Sequence, residues 1–191
     1  LKSLCAKYGA GYLALPDPGG PFPKAHTSNV AIRRLNGTAT HFVQIDADVI
    51  AGPGLVDALL HRLAKGPTDM ISVYPRRLPK LPKPYTEYTY QELLRHSTRI
   101  EPDKHAWGMC LTHSFEAMHQ LKGYNEEFVG WGFEDTDYVN RAGRAGFTTG
   151  MEDFGPVVLH QWHPTPSRSQ YHRNLQISKA GKSNEGEWGA I

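Results

Sequence analysis

Three groups of residues in this chain have the types and spacing to do chemistry. Asp46-Ala47-Asp48 closes the apolar run Thr40 to Ile45. At i, i+2 in extended backbone both carboxylates point to one side, where they can share a hard cation or divide metal and sugar contacts. An isolated Asp-x-Asp also fits a solvated turn, but turn chemistry does not require both acids. Glu134-Asp135, followed by Asp137, opens a predicted helix running to about Ala145. The positive end of a helix favours ionised carboxylates there. These acids follow Gly130-Trp131-Gly132, a small-large-small run that suits a carboxylate base above a sugar-sized slot. Capping with Trp131 as core filler explains acids in a first turn, but neither Asp137 nor both glycines. His160 and His163 are three apart and His172 is near in sequence, so a histidine zinc site is open. One histidine joining Asp46 and Asp48 would instead give a mixed oxygen and nitrogen site suited to Mn²⁺, with His160 the first choice and His163 the second.

The elements that must hold these groups alternate. Leu1 to Lys7 reads as a helix tail, Tyr12 to Leu15 as a strand closed by Pro16, and Ala25 to Leu35 as a helix stopped by Gly37. The strand Thr40 to Ile45 leads into the first acid pair. A helix from Pro53 to Gly66 with the stripe Leu55, Leu59, Leu60 and Leu63 precedes a strand Met70 to Tyr74. Pro75 to Pro84 is a basic, extended excursion, and a polar helix follows from about Glu87 to His96. Ala106 to Thr112 is a strand, Ser114 caps a helix through Leu121, and Val157 to Leu159 is a last strand. Strand-helix-strand alternation predicts an α/β sandwich whose ligands lie beyond the carboxyl ends of the strands.

Composition bounds what such a fold does. At 191 residues the chain is about one domain, and 21 Lys plus Arg against 19 Asp plus Glu leave +2, which argues against a nucleic-acid binder. Two isolated cysteines, Cys5 and Cys110, make no disulfide framework and point to a reducing, cytoplasmic or membrane-peripheral location. No apolar run reaches the roughly 20 residues of a membrane span.

The runs VQIDADVI, GYNEEFVGWGFEDTDYVNRAGRAGF and LHQWHP together resemble the GT-A nucleotide-sugar glycosyltransferases. The likeness is to the family 2-like enzymes and to the galactosyltransferase-type C-terminal module of β-1,4-galactosyltransferases, chondroitin polymerases and polypeptide N-acetylgalactosaminyltransferases. It covers about Lys24 to His163. The resemblance implies a three-layer sandwich with a central, mainly parallel sheet, whose first two strands would precede Leu1. It implies a single catalytic domain over residues 1–163, with a donor and metal part about 1–74 and an acceptor part about 105–163, and a mobile tail or lid over 164–191.

By the same resemblance, Asp48 binds Mn²⁺ or Mg²⁺, Asp46 contacts the donor ribose or the metal, and His160 completes the metal site. Asn29 would lie near the nucleotide. Asp135 would be the general base of an inverting transfer from a UDP-sugar to a glycan or other hydroxyl acceptor. Glu134 would hold a sugar hydroxyl, while Trp131, Gly132 and Trp107 would line the sugar site. Phe133 stands where the galactosyltransferase form of this turn has a second glycine. The basic loop Pro75 to Pro84 and the tail, with Arg168 and Arg173, are candidate lids. Three rival readings are a retaining transferase, a non-catalytic binding module using Pro79-x-x-Pro82, and a histidine-rich metal binder.

Overall fold

The computed structural model describes residues 1–190 except 18, 36, 38, 67, 68, 101–106, 156, 157 and 166. Helices α1 (Lys2–Lys7) and α2 (Lys24–Leu35) precede strands β1 (His41–Ile45) and β2 (Val49–Ala51). Helix α3 (Leu55–Ala64) leads to β3 (Met70–Val73) and the short β4 (Arg76–Arg77). Then come α4 (Tyr90–His96), β5 (Thr98–Arg99), β6 (Cys110–Ser114) and α5 (Phe115–Gln120). The chain continues through α6 (Glu134–Arg144), β7 (Thr149–Glu152), β8 (Val158–His160) and α7 (Tyr171–Ala180).

The main sheet has the order β1-β6-β3-β7. β6 is antiparallel to both β1 and β3, and β3 is parallel to β7. Three of its four strands therefore run one way, with β6 reversed between two of them. Every residue of the central strands β3 and β6 is buried, which explains their continuous apolar or compact sequences. Alternation sends neighbouring Met70 and Ile71 to opposite faces. Met70 and Leu111 pack with Met118, Tyr138 and Ala142 from α5 and α6. Ile71 and Val73 pack with Leu55 and Leu59 of α3. The result is helix on sheet on helix. A smaller sheet, β2-β8-β4-β5, sits beside it over a separate apolar cluster of Leu78, Leu93 and Leu159.

Several elements differ from the sequence reading. Tyr12 to Leu15 is not a strand, and Tyr12 and Leu13 are exposed. A strand needs a hydrogen-bonded neighbour, and no described strand pairs with this run. Trp107–Met109 forms a single 3₁₀ turn and the strand begins only at Cys110; Ala106, like Val157 of the last strand, lies outside the described residues. β2 and β7 carry too weak a local signal to be read alone, and each exists through its pairing, β2 with β8 and β7 with β3. Beyond Pro164, α7 buries Asn174 completely, and Trp188 joins the core. Among the described residues no helix is long and apolar enough to cross a membrane.

Candidate active site

The two acids after β1 sit where the main sheet hands over to the small one. Asp46 N–H donates to Met109 O at 3.1 Å and Val49 N–H donates to Asp46 O at 3.1 Å, which closes a tight turn between β1 and β2. β2 then pairs with β8 in a register that sets Val49 opposite His160, and Gln161 N–H donates to Asp48 O at 2.9 Å. Strand pairing thus delivers His160 to Asp48. His160 Nε2 lies 3.5 Å and His163 Nε2 3.4 Å from Asp48 Oδ2. The other carboxylate oxygen, Asp48 Oδ1, is buried without a hydrogen-bond partner. Burial holds the His160 imidazole below its ordinary pKa; Asp48 works against this, while His163 and Arg77 push the same way. His160 is therefore neutral near pH 7, as a metal ligand must be.

The second acid turns elsewhere. Asp46 accepts Lys24 Nζ at 3.0 Å on Oδ1 and 3.1 Å on Oδ2, and the same ammonium lies 3.3 Å from Glu134 Oε1. Lys24 comes from the first turn of α2, Asp46 from the end of β1 and Glu134 from the start of α6, so one cation ties three elements. Burial opposes a charged Lys24, but Glu134, Asp46 and Asp135 outweigh it and raise its pKa. Burial also raises the Asp46 and Glu134 carboxyls, with Lys24 pulling each back and Asp135 adding repulsion. This concentration of mutually shifted groups in one cleft is a mark of functional sites.

The run before α6 is a tight turn. Gly130, Gly132 and Phe133 all have positive φ, +68°, +106° and +76° respectively. Phe133 therefore holds a left-handed conformation that favours glycine, at a cost of about 1–2 kcal/mol. Its ring packs on Tyr171 of α7 with centroids 5.1 Å apart. Asn174, also on α7, donates from Nδ2 to the carbonyls of Val129 at 3.1 Å and Gly132 at 3.1 Å. The turn is thus fastened from the far end of the chain. Trp131 is 44% exposed, lies nearly parallel to the Tyr171 ring, and carries the Arg168 guanidinium 5.4 Å from its centroid. Asp135 Oδ1 accepts Thr136 N–H at 2.6 Å, and its other oxygen abuts Gly108 so closely that a β-carbon there would collide with it.

These groups surround one open cleft of about 1180 Å³. Asp46, Asp48, His160, Trp131, Gly132, Glu134 and Asp135 all line it, joined by Lys24, Gly108 and Arg77. Two expected residues do not. Asn29 is fully buried and donates to Tyr124 O and Glu126 Oε1 while accepting Tyr124 N–H, so its amide is spent on joining α2 to the loop after α5. Trp107 packs against the main core cluster, and its carbonyl accepts Ser72 Oγ–H at 3.1 Å. Lys24, Gly108 and Asn174 were not marked by the sequence, because a lysine beside a helix start, a glycine inside an expected strand and an asparagine in a polar tail each have ordinary explanations. The Pro79-x-x-Pro82 segment is held to the fold by Tyr85 O–H donating to Pro79 O at 2.8 Å, with Leu78 buried beside it.

Residues 94–160 match the family described as the N-terminal domain of galactosyltransferase. No curated protein sequence matches the chain significantly. Solved structures do. The catalytic domain of Drosophila β1,4-galactosyltransferase 7 in complex with xylobiose aligns with a TM-score of 0.53 and 18% identity over 97% of this chain and 73% of that one. A mutant of the same Drosophila enzyme in complex with manganese, UDP-Gal and xylobiose aligns with a TM-score of 0.56 and 16% identity over 100% and 74%. At these identities the likeness establishes the fold.

Proposed function

We propose that this chain, which has the GT-A glycosyltransferase fold, moves a sugar from a nucleotide donor, a UDP-sugar, to a saccharide hydroxyl with inversion at the anomeric carbon. The observation that carries this is the meeting in one cleft of Asp46-Ala47-Asp48 at a strand end with Glu134-Asp135 at a helix start, bridged by Lys24. The match at 94–160 and the manganese and UDP-Gal of the Drosophila complex support the reading.

The residues present fit a divalent cation: a buried, unpartnered carboxylate oxygen on Asp48 stands beside neutral His160. When bound, the cation neutralises charge on the departing diphosphate. The protein's own groups do the rest. Asp135, oriented by the Thr136 N–H, takes the proton of the acceptor hydroxyl. That oxygen then forms its bond to the anomeric carbon as the carbon–phosphate oxygen bond breaks, and the electron pair leaves with the nucleoside diphosphate. Glu134, tied to Lys24, is held to accept a sugar hydroxyl. Trp131, nearly half exposed, offers the free part of its indole to a sugar ring. A base on the attacking side and a leaving group on the other invert the centre.

The test is turnover of UDP-hexoses with Mn²⁺ and a panel of saccharide acceptors, with the product anomer read by NMR. A product of inverted configuration is expected. A retained configuration would remove Asp135 as base, and hydrolysis or inertness with every donor and acceptor would remove the transferase reading.

A further inference from the structure

The rim of the cleft carries an arginine without a counter-ion. The Arg168 guanidinium sits 5.4 Å over the Trp131 ring, and its neighbours Ser167 and Ser169 line the cleft. Arg168 is exposed, and among the described residues its side chain has no ion pair and no hydrogen bond. An indole holds a cation through the negative face of its π system. That contact uses none of the guanidinium N–H donors, whose planar fork matches a carboxylate or a sulfate. Phe22, 64% exposed, also lines the cleft. Gly130 N–H donates to Phe22 O at 2.9 Å, which ties Phe22 to the turn that presents Trp131. Two exposed aromatic residues on joined backbone segments, with an unspent cation over one of them, offer apolar surface to sugar rings and one fixed partner to an anionic substituent.

The charges inside the cleft decide where that substituent can sit. Asp46, Asp48, Glu134 and Asp135 line the interior, and Lys24 is spent on Asp46 and Glu134. Arg77 stands at the other end, in register with His160. An anion on the sugar that faces Asp135 would therefore meet carboxylates with no free cation beside them. On the adjoining unit, outside the ring of acids, it meets Arg168.

We infer that Arg168 marks a binding subsite for an anionic saccharide, with the carboxylate or sulfate carried one unit beyond the sugar that reacts. Which unit reacts rests on the transferase reading; the anion site does not.

The test uses the full chain with Mn²⁺ and UDP, titrated calorimetrically with matched disaccharides of xylose, galactose and N-acetylglucosamine. Each is offered neutral, extended with glucuronic acid, or carrying a single O-sulfate. An anionic form is expected to bind at least about tenfold tighter than its neutral parent, with the preference shrinking as salt is raised. Arg168→Gln should bring the anionic and neutral affinities within about twofold of each other, whereas Arg168→Lys, which keeps the charge without the fork, should keep part of the preference. The glucuronate and sulfate arms tell which anion the fork takes. No anionic form tighter than its neutral parent, or a preference untouched in Arg168→Gln, would overturn the assignment. An untouched preference with UDP affinity lost would move Arg168 to the donor. A charge preference that vanishes in Arg168→Gln, in a chain that transfers no sugar, would sink the transferase reading and leave this one standing. Transfer to neutral acceptors with no preference for charge would do the reverse.

Discussion

Lys24 Nζ lies 3.3 Å from Glu134 Oε1, so the second helix of the chain reaches across the cleft to the first residue of α6. The same nitrogen holds Asp46 at 3.0 Å. Two half-buried or buried carboxylates thus share one cation, and the β1 and α6 sides of the cleft are joined by charge. Without the cation, the burial that raises both carboxyls and the repulsion that each feels from Asp135 lose their largest offset.

Lys24→Met is expected to destabilise the fold by about 2–4 kcal/mol, somewhat below the roughly 3–5 kcal/mol of a fully buried pair, because the Lys24 and Asp46 side chains stay 23% and 27% exposed. Lys24→Arg should recover most of it. Chemical denaturation reads the stability, and transfer assays should show the Met variant losing more rate than binding, since Glu134 loses its anchor. A Met variant as stable and active as the parent would show that the bridge is idle.

Asp135→Asn is expected to lower the rate constant by about 10²- to 10⁴-fold, the range of a general base, with donor binding kept. The side chain lies close in shape to the original and still accepts the Thr136 N–H. Donor affinity by calorimetry and turnover by product release separate the two effects. A rate within threefold of the parent would move the base elsewhere.

Much of this site was legible because strand ends and helix starts announce themselves locally. Asp46, Asp48, Glu134 and Asp135 sit at element boundaries that hydrophobic patterning locates to within a residue or two, and all four line the cleft. The assignments that went astray depended on partners distant in sequence. Asn29 is spent on Tyr124 and Glu126, roughly a hundred residues away, which no local pattern reveals. Asn174 reached the sequence reading as part of a polar tail, because its value lies in the carbonyls of Val129 and Gly132. Phe133 was visible as a departure from glycine, but only its φ of +76° shows that the turn kept glycine's conformation while taking a ring that packs on α7.

Gly108→Ala tests how closely Asp135 is cradled. Gly108 has no positive φ, so alanine suits its backbone, and the new methyl would meet the Asp135 carboxylate. The side chain must rotate away, and displacement of a reacting group by about 1 Å costs on the order of 100-fold in rate. A thermal midpoint within a few degrees of the parent, with turnover reduced at least tenfold, is the expected pair of results. Full activity would mean that the observed position of Asp135 is not the productive one.

The acid limb of stability should be governed in part by His113. The residue is fully buried on β6, stacked on Phe42 at 4.7 Å and flanked by the Tyr138 and Tyr124 rings at 5.2 Å and 5.9 Å. Burial among these rings penalises the imidazolium and lowers its pKa from 6.5 to about 3. The unfolded chain therefore binds a proton that the folded chain refuses between those values. Stability is complete above about pH 6.5 and falls as pH drops toward 3, with a slope from this residue of at most about 1.4 kcal/mol per pH unit. His113→Phe keeps the ring contacts but cannot titrate. It also strips the Tyr124 hydroxyl of its 3.3 Å partner, so a constant loss of about 1–3 kcal/mol is expected at neutral pH. Denaturant unfolding of both proteins at several pH values should show their stability difference shrinking or reversing on acidification, because the parent alone carries the His113 proton uptake. A difference that stays constant from pH 7 to pH 4 would mean that His113 accepts its proton in the folded state at an ordinary pH, and the aromatic cage would have to open to let it.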